Sequence, residues 1–194
     1  MRQIKSVCVY CGSSSEVDPR HRTAAAALGA RLAARGVTLV YGGGRVGLMG
    51  LMADACLQAG GQVIGVIPEF LRSREVGHGA VTELVVVDNM HERKQAMFER
   101  SDGFVILPGG LGTLDETFEV LTWKQLRLHD KPIVVVDVAG YWRPLAALVD
   151  HVIREGFAAP TMRQHFEVVE DVAQVLPALE AAAPPRVPAA TGRL

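Results

Sequence analysis

Residues 104–116 read FVILPGGLGTLDE, and this stretch decides the fold. Its first four residues are apolar, which predicts a strand buried on both faces, as in a parallel sheet. Pro108 ends that strand. Thr113 is expected to cap the next helix, whose positive dipole end suits an anion such as phosphate. Between them lie three glycines that allow positive φ and let backbone N–H groups approach a ligand: Gly109, Gly110 and Gly112.

Glu116 has two interpretations that the sequence leaves open. In the structural one, Thr113 and Glu116 form a capping box, in which the carboxylate bonds back to the backbone of Thr113. In the functional one, Glu116 is a carboxylate that faces the atom next to the phosphate-bearing group of a ligand. Asp115 is not expected to act as a partner carboxylate, because adjacent helical residues do not face each other.

Strands alternate with helices on both sides of this stretch. Helical segments lie between short apolar runs, for example from Pro19 to Ala34. This alternation predicts an α/β fold with a doubly wound parallel sheet of about seven strands and helices on both faces. Ligands are then expected at the C-terminal ends of the strands. The runs predict strands at residues 6–10, 37–41, 62–67, 83–87, 104–107, 133–136 and 166–169.

Length and composition indicate a single domain. The chain has 194 residues, of which 49% are hydrophobic, and this is enough for one sizeable core. We therefore expect one globular domain over residues 1–183. Residues 184–194 begin with two prolines and contain a third at Pro188. This segment is expected to be a disordered tail.

Charge and cysteine content restrict the function classes. A formal net charge of -1, with both signs mixed along the chain, gives no case for nucleic-acid binding. The apolar run at residues 7–10 is too short for a signal peptide or a membrane span, so we expect a cytoplasmic protein that does not bind membranes. Three cysteines, an odd number, do not suggest disulfides. Cys8 and Cys11 form a C-x-x-C, but Cys8 falls inside a predicted strand, which argues against redox or zinc chemistry.

A second glycine motif follows the predicted strand at residues 37–41. Gly42, Gly44 and Gly47 match G-x-G-x-x-G between a strand and a helix, which is the context of a dinucleotide fingerprint. Glu69 lies roughly where a ribose-binding acid is expected. Two alternatives stay open: both glycine turns surround a single phosphate, or some of these glycines serve only close helix-to-strand packing.

Two cations stand near the start of a predicted helix. Arg93 and Lys94 follow Asp88 and Asn89, either of which can cap that helix. Cations at this end oppose the helix dipole, so they indicate an anionic neighbour or a bound phosphate; the alternative is a solvated face.

Residues 69–79, upstream of this helix, show no clear hydrophobic periodicity. This pattern predicts either a solvated connection or a flap over the site.

Residues 108–116 resemble the P-G-G-x-G-T-x-x-E signature of the LOG ("lonely guy") phosphoribohydrolases. Three other stretches are similar to motifs of that family in the same order, namely Cys-Gly-Ser at 11–13, YGGGRVGLMG at 41–50 and MHERK at 90–94. The similarity covers nearly the whole chain up to about Pro160. Asp115 stands where many relatives have glutamate, outside the positions expected to do chemistry.

The resemblance implies a Rossmann-like fold, a homodimer and hydrolysis of the N-glycosidic bond in a nucleoside 5'-monophosphate, with a free base and ribose 5-phosphate as products. It implies that Arg93 and Glu116 are the catalytic pair, and it implies no metal and no cofactor. The implied substrate contacts are Glu75, Lys94, Gly110, Leu111, Gly112, Thr113, Leu114, Asp115, Glu116 and Thr122, with Ser13, Gly43 and Met90 as further candidates.

Members of this family are often labelled lysine decarboxylases. The chain gives that label little support, because none of its lysines has a clear setting for pyridoxal phosphate. They are Lys5, Lys94, Lys124 and Lys131.

The residue chemistry agrees with hydrolysis independently of the resemblance. Breaking a bond to the anomeric carbon builds positive charge on the ribose, and a carboxylate such as Glu116 can stabilise that charge or activate the attacking water. Arg93 does not readily release a proton. We therefore expect it to make charge-assisted hydrogen bonds to phosphate, sugar or Glu116.

Three functions follow from these observations. The leading one is a phosphoribohydrolase that acts on a purine nucleotide, either AMP or a cytokinin riboside monophosphate. The alternatives are a non-catalytic nucleotide-binding protein, such as a sensor or carrier, and an NAD(P)-dependent oxidoreductase. Release of base from the nucleotide separates the first from the second, and titration with reduced nicotinamide cofactor tests the third.

Overall fold

The computed structural model describes residues 2–72 and 77–182, in which strands and helices alternate. The strands are β1 (Ser6–Tyr10), β2 (Thr38–Tyr41), β3 (Val63–Pro68), β4 (Glu83–Val87), β5 (Gly103–Ile106), β6 (Ile133–Val136) and β7 (Glu167–Val169). The α-helices are α1 (Pro19–Ala34), α2 (Gly47–Gln58), α3 (Glu69–Arg72), α4 (Met90–Glu99), α5 (Leu111–Gln125), α6 (Arg143–Arg154) and α7 (Val175–Ala181). Every predicted strand is confirmed, with bounds that differ by one residue at most. The expected tail at 184–194 lies outside the described residues.

The strands form one parallel sheet in the order β4-β3-β2-β1-β5-β6-β7. From β1 the chain builds outward to β4 on one side. It then returns to the centre and builds from β5 to β7 on the other. The direction of winding therefore reverses between β1 and β5, and in such sheets ligands bind outside the carboxyl ends of the strands at this point.

Helices cover both faces of the sheet, as expected for a doubly wound fold. Alternate strand residues face opposite layers, so Val7 and Val9 of β1 pack in one apolar cluster and Cys8 and Tyr10 in the other. The first cluster contains residues of α1, α2 and α7, and the second contains residues of α4, α5 and α6. Both faces of the central strands are therefore buried, which explains their continuous apolar sequences.

Local signals set most helix ends. Asp18 caps α1 by accepting a hydrogen bond from the Arg20 N–H at 2.8 Å, and Gly36 ends this helix region with a φ of +64°. Asn89 caps α4, accepting from the Glu92 N–H at 2.9 Å. Among the described helices, none is long and apolar enough to cross a membrane.

The segment between β6 and α6 is a turn. A 3₁₀ turn at Val138–Gly140 comes first, and α6 begins at Arg143. The Trp142 N–H donates to Oδ1 of Asp137 at 2.6 Å, so this part of the chain is tied back to the end of β6 as a turn. α6 begins at the next residue after Trp142, whose N–H makes this bond.

The three cysteines are free thiols in the interior of the folded protein. Cys8 lies within β1, as predicted, and Cys8, Cys11 and Cys56 are all buried. Burial raises the pKa of each thiol, to about 11 for Cys56. The negative charge of Glu116 raises the pKa of Cys8 and Cys11 further. A buried thiol with a raised pKa has little reactive thiolate.

We therefore expect the native protein to react very slowly with an aromatic disulfide reagent at about pH 8, where an ordinary thiol is partly ionised. Unfolding in guanidinium chloride should make all three thiols react rapidly. Absorbance of the released thiolate measures both rates. Rapid modification of one thiol in the native protein would contradict the buried, protonated state.

Candidate active site

The turns that follow β1 and β5 form a crevice at the point where the winding of the sheet reverses. β1 and β5 are parallel neighbours, with Tyr10 opposite Ile106 at their ends. The Gly12 N–H donates to the carbonyl oxygen of Pro108 at 3.0 Å, which joins the two turns. A cavity of about 230 Å³ opens between them and is also bordered by residues of α2, α4 and α5. This is the position that the parallel sheet predicts for a ligand.

The N-terminus of α5 faces this cavity, but it is not built as the sequence suggested. α5 begins at Leu111, three residues earlier than predicted, and Gly110 occupies the cap position without a side-chain cap. Thr113 is therefore not the cap. It lies in the first helical turn and packs under the preceding turn, where a β-carbon on Gly109 would overlap its hydroxyl. The cavity-lining residues of this first turn and its cap are Gly110, Leu111, Gly112 and Thr113.

Positive φ is not the reason for the glycines in this turn. Gly109, Gly110 and Gly112 are absent from the residues with positive φ, so that expectation was wrong. Gly109 is needed for its close contact with Thr113. Gly110 and Gly112 have open space where a side chain would stand, which leaves their amides accessible from the cavity. The functional half of the prediction, access to backbone N–H groups, remains consistent with this geometry.

Glu116 lies in the second turn of α5, lines the cavity and is 9% exposed. Since the cap is Gly110, Glu116 stands six positions beyond it, whereas a capping box requires the third position. The capping-box interpretation is therefore wrong. Oε1 of Glu116 lies 3.8 Å from Nη1 of Arg93. A buried carboxylate beside a buried guanidinium at a cavity wall is typical of functional sites. The catalytic role of the two residues stays a prediction.

Arg93 is held by backbone carbonyls at the ends of two strands. It is 6% exposed and lies in the first turn of α4. Its Nε donates to the carbonyl oxygen of Val66 at 3.2 Å, and its Nη2 donates to that of Gly42 at 3.1 Å. These two bonds orient the guanidinium plane and direct Nη1 toward Glu116. The alternative of a solvated face is wrong for Arg93.

The second glycine motif is explained largely by close packing. A β-carbon on Gly42 would overlap Nη2 of Arg93, and one on Gly47 would overlap the backbone of Ser13. Gly47 also has a φ of +61°. Gly42 lines the same cavity as Gly110, so the two glycine turns border one site. This arrangement favours the single-ligand alternative over a separate dinucleotide site after β2.

Lys94 joins α4 to α5 and does not line the cavity. Its Nζ lies 2.9 Å from Oε1 of Glu119 and 3.4 Å from Oδ2 of Asp115. Burial alone would lower the pKa of Lys94, but the hydrogen bond and charge of Glu119, with Asp115 in addition, outweigh it and raise the pKa. The anionic neighbour that the sequence required for Lys94 is therefore a pair of carboxylates on α5.

The remaining predicted contacts divide into three groups. Ser13 and Met90 line the cavity together with Asp115, whereas Gly43, Leu114 and Thr122 do not. Thr122 is exposed on the outer face of α5. Glu75 lies outside the described residues. The assignment of all these residues as substrate contacts stays a prediction.

Sequence reasoning missed several residues of the cavity wall. Tyr10 lies at the end of β1, while Met49 and Met97 reach the cavity from α2 and α4. The end of a predicted parallel strand was a usable signal for Tyr10. The two methionines carry no such signal, because their positions identify them only as apolar helix residues.

The cavity thus combines backbone amides, a carboxylate and a guanidinium. The amides at the start of α5 suit a phosphate, and Glu116 lies one helical turn further in. Within residues 2–72 and 77–182, no group of three or more His, Cys, Asp or Glu side chains could hold a metal ion. The arrangement can bind a phosphorylated ligand and present an anionic oxygen to the atoms next to its phosphate.

Comparison with known proteins agrees with a site for a phosphorylated ligand. Residues 49–179 match the family model described as "Possible lysine decarboxylase". The chain is 47% identical over 161 residues to cytokinin riboside 5'-monophosphate phosphoribohydrolase LOG1 of Arabidopsis thaliana. That match covers 83% of this chain and 76% of the relative. It is 45% identical over 176 residues to cytokinin riboside 5'-monophosphate phosphoribohydrolase of Rhodococcoides fascians. That match covers 90% of this chain and 89% of the relative.

Solved structures of more distant proteins share the fold. The molybdenum cofactor carrier protein of Chlamydomonas reinhardtii is similar with a TM-score of 0.68 at 24% identity, over 91% of this chain and 95% of that one. The molybdenum cofactor binding protein of Rippkaea orientalis gives a TM-score of 0.67 at 20% identity, over 91% and 96% of the two chains. At this level of identity the likeness concerns the fold alone.

Proposed function

The chain belongs to the family of cytokinin riboside 5'-monophosphate phosphoribohydrolases, and from this premise we propose that it hydrolyses the N-glycosidic bond of a purine nucleoside 5'-monophosphate. The products are the free base and ribose 5-phosphate. AMP and cytokinin riboside monophosphates, which carry adenine or an N6-substituted adenine, are the proposed substrates. The family name that refers to lysine decarboxylation finds no support in Lys94, whose ammonium group is engaged by Asp115 and Glu119.

The position of Glu116 carries this proposal. Phosphate bound at the amides of residues 110–113 places the ribose toward the second turn of α5, because one turn advances the helix by about 5.4 Å. Glu116 lies in that turn and faces the cavity. Its carboxylate then lies beside the anomeric carbon, where it stabilises the positive charge that develops as the bond to the base breaks. It also accepts one proton of the attacking water, whose oxygen becomes the anomeric hydroxyl. The departing base keeps the electron pair of the broken bond and takes up a proton from solvent, and Glu116 releases its proton to solvent.

Arg93 completes the proposed catalytic pair. Its two bonds to backbone carbonyls hold the guanidinium in place, and its third nitrogen is directed toward Glu116 and the cavity. A guanidinium retains its proton throughout, so Arg93 acts by charge and hydrogen bonding. It keeps the neighbouring carboxylate oriented and offers donors to the ribose or the phosphate.

The other substrate contacts are proposed from the family signature. Ser13, Met90 and Asp115 border the cavity and are within reach of a ligand there. Lys94, Leu114, Gly43, Thr122 and Glu75 are proposed on the resemblance of the surrounding motifs alone.

The fold by itself does not distinguish hydrolysis from binding, because molybdenum cofactor carrier proteins share it. The test is incubation of purified protein with AMP and, separately, isopentenyladenosine monophosphate, followed by chromatography of the free base. Release from either nucleotide supports the hydrolase. Binding of both nucleotides without release would instead support the non-catalytic nucleotide-binding protein. Fluorescence titration with reduced nicotinamide cofactor should show no binding; tight binding would favour the oxidoreductase.

We also propose that the protein is a homodimer that pairs through the outer face of α5. Large apolar side chains are exposed on this face and at its C-terminal end, with Leu111 at 85%, Phe118 at 37% and, directly after the helix, Leu126 at 62% exposure. Thr122 stands on the same face. Leu111 also borders the cavity, so a second chain that covers this face would lie beside the site. The free, buried cysteines agree with a reducing compartment, and we infer a cytoplasmic location.

Phe118→Glu should convert this dimer to a monomer, because a charge would replace an apolar group in the contact. Sedimentation velocity measures the change in mass. Phe157→Glu is the matched control, since Phe157 is 85% exposed outside α5 and should leave the mass unchanged. A wild-type monomer, or a Phe118→Glu dimer, would contradict pairing through α5.

A further inference from the structure

Tyr141 contacts the glycine turn of the proposed site from the segment before α6. Its hydroxyl donates a hydrogen bond to the carbonyl oxygen of Gly109 at 2.7 Å. We propose that Tyr141 is a positioning residue for phosphate binding, which holds the Gly109–Gly110 peptide with the Gly110 N–H facing the cavity. The inference rests on the proposed function, because it takes the substrate's 5'-phosphate as the anion at this turn.

The geometry of the peptide bond makes the link. A trans peptide is planar, so its carbonyl oxygen and its N–H point in opposite directions. The hydroxyl of Tyr141 holds the Gly109 oxygen on the outer side of the turn. Gly110 lines the cavity and Gly109 does not, in agreement with this orientation. Within the described ranges, no residue accepts a hydrogen bond from the Gly110 N–H, which leaves it available to a ligand.

Without this bond the peptide would have unusual freedom. It joins two glycines, which lack the β-carbons that restrict rotation in other residues. A flipped peptide would direct the Gly109 oxygen, the negative end of its dipole, at the phosphate. The neighbouring carbonyls already have donors, since Pro108 accepts from the Gly12 N–H and Gly110 from the Leu114 N–H, both at 3.0 Å. Tyr141 supplies the donor for the carbonyl oxygen of Gly109, which lies between these two residues.

The segment that carries Tyr141 holds its ring in place. Ala139 has a φ of 55° and a ψ of 28°, a left-handed conformation that costs a non-glycine residue on the order of 1 kcal/mol. The bond from the Trp142 N–H to Asp137 ties down the other end of the turn. The Tyr141 ring lies edge-on to those of His21 and Trp142, with centroids 5.4 Å and 4.8 Å away. A strained and anchored turn therefore presents the hydroxyl to Gly109.

Tyr141→Phe removes this hydroxyl and keeps the ring. We expect the affinity for ribose 5-phosphate, measured by titration calorimetry, to fall about fivefold to tenfold, in line with the loss of one hydrogen bond. The KM for AMP should rise by a similar factor while kcat stays within about twofold, because the change affects phosphate binding and not the bond that breaks. A merely structural defect would lower kcat through a smaller active fraction and leave KM unchanged.

Tyr41→Phe is the matched control. It deletes a tyrosine hydroxyl that is buried without a hydrogen-bond partner among the described residues, so affinity and KM should not change. An unchanged affinity for ribose 5-phosphate in Tyr141→Phe, with tight binding by the wild type, overturns this inference alone. A wild type that neither binds ribose 5-phosphate nor releases base from AMP overturns it together with the proposed function. A wild type that binds ribose 5-phosphate without releasing base overturns only the hydrolase.

Discussion

Glu116→Gln should lower kcat for base release from AMP by about 1,000-fold, which is the order of effect expected when a group that acts on the transition state loses its charge. Glutamine has nearly the same shape, so it fills the same space at the cavity wall. It neither neutralises the charge that develops on the ribose nor accepts a proton from water. Chromatography of released adenine over a long incubation measures the residual rate.

Two observations should accompany this loss of turnover. Ribose 5-phosphate affinity should be retained, since the phosphate is proposed to bind the amides of residues 110–113. Circular dichroism should show a folded protein with a lowered melting temperature, because glutamine leaves the buried guanidinium of Arg93 without its counter-charge. Glu99→Gln makes the same chemical change at an exposed carboxylate near the end of α4 and should leave kcat unaltered. Full activity in a folded Glu116→Gln protein would remove this residue from the mechanism.

Arg93→Ala should destabilise the protein by about 3–5 kcal/mol, the range measured when one partner of a buried ion pair is deleted. The substitution leaves the carbonyls of Gly42 and Val66 without their donor and deprives Glu116 of the adjacent positive charge. Arg93→Lys should fall between this variant and the wild type, because an ammonium keeps the charge but cannot replace the planar fork. Denaturant unfolding followed by circular dichroism gives the three free energies of unfolding.

Arg100→Ala is the control for the stability effect. Arg100 follows α4. Among the described residues its side chain makes only a long ion pair of 3.8 Å with Glu83, so its removal should cost no more than about 0.5 kcal/mol. Arg93→Ala that is inactive but as stable as the wild type would show that the carbonyl bonds contribute little. Arg93 would then act only through the substrate.

The sequence predicted the elements of the fold well and the contacts of the site less well. All seven strands, the α1 start at Pro19 and the Asn89 cap were recognisable from apolar runs and turn residues. Glu116 and Arg93 were recognisable as candidates because a carboxylate beside an anion site and a cation at a helix start both require an explanation. The cap at Thr113 was wrong, since the pattern Thr-x-x-Glu fits a helix start at residue 113 as well as a first turn that begins at residue 111.

What the sequence determined by itself is local: which segments form strands, where most helices begin, and which residues have the chemistry for a phosphorylated ligand. These properties depend on neighbours a few positions away, which a linear pattern records. The tertiary structure alone decided that β1 lies beside β5, that Arg93 bonds to Gly42, 51 residues away, and that Tyr141 bonds to Gly109, 32 residues away. Such contacts depend on the order of strands in the sheet, because that order sets which turns meet at its edge. These contacts bring a glycine-rich loop and two charged residues together in one site.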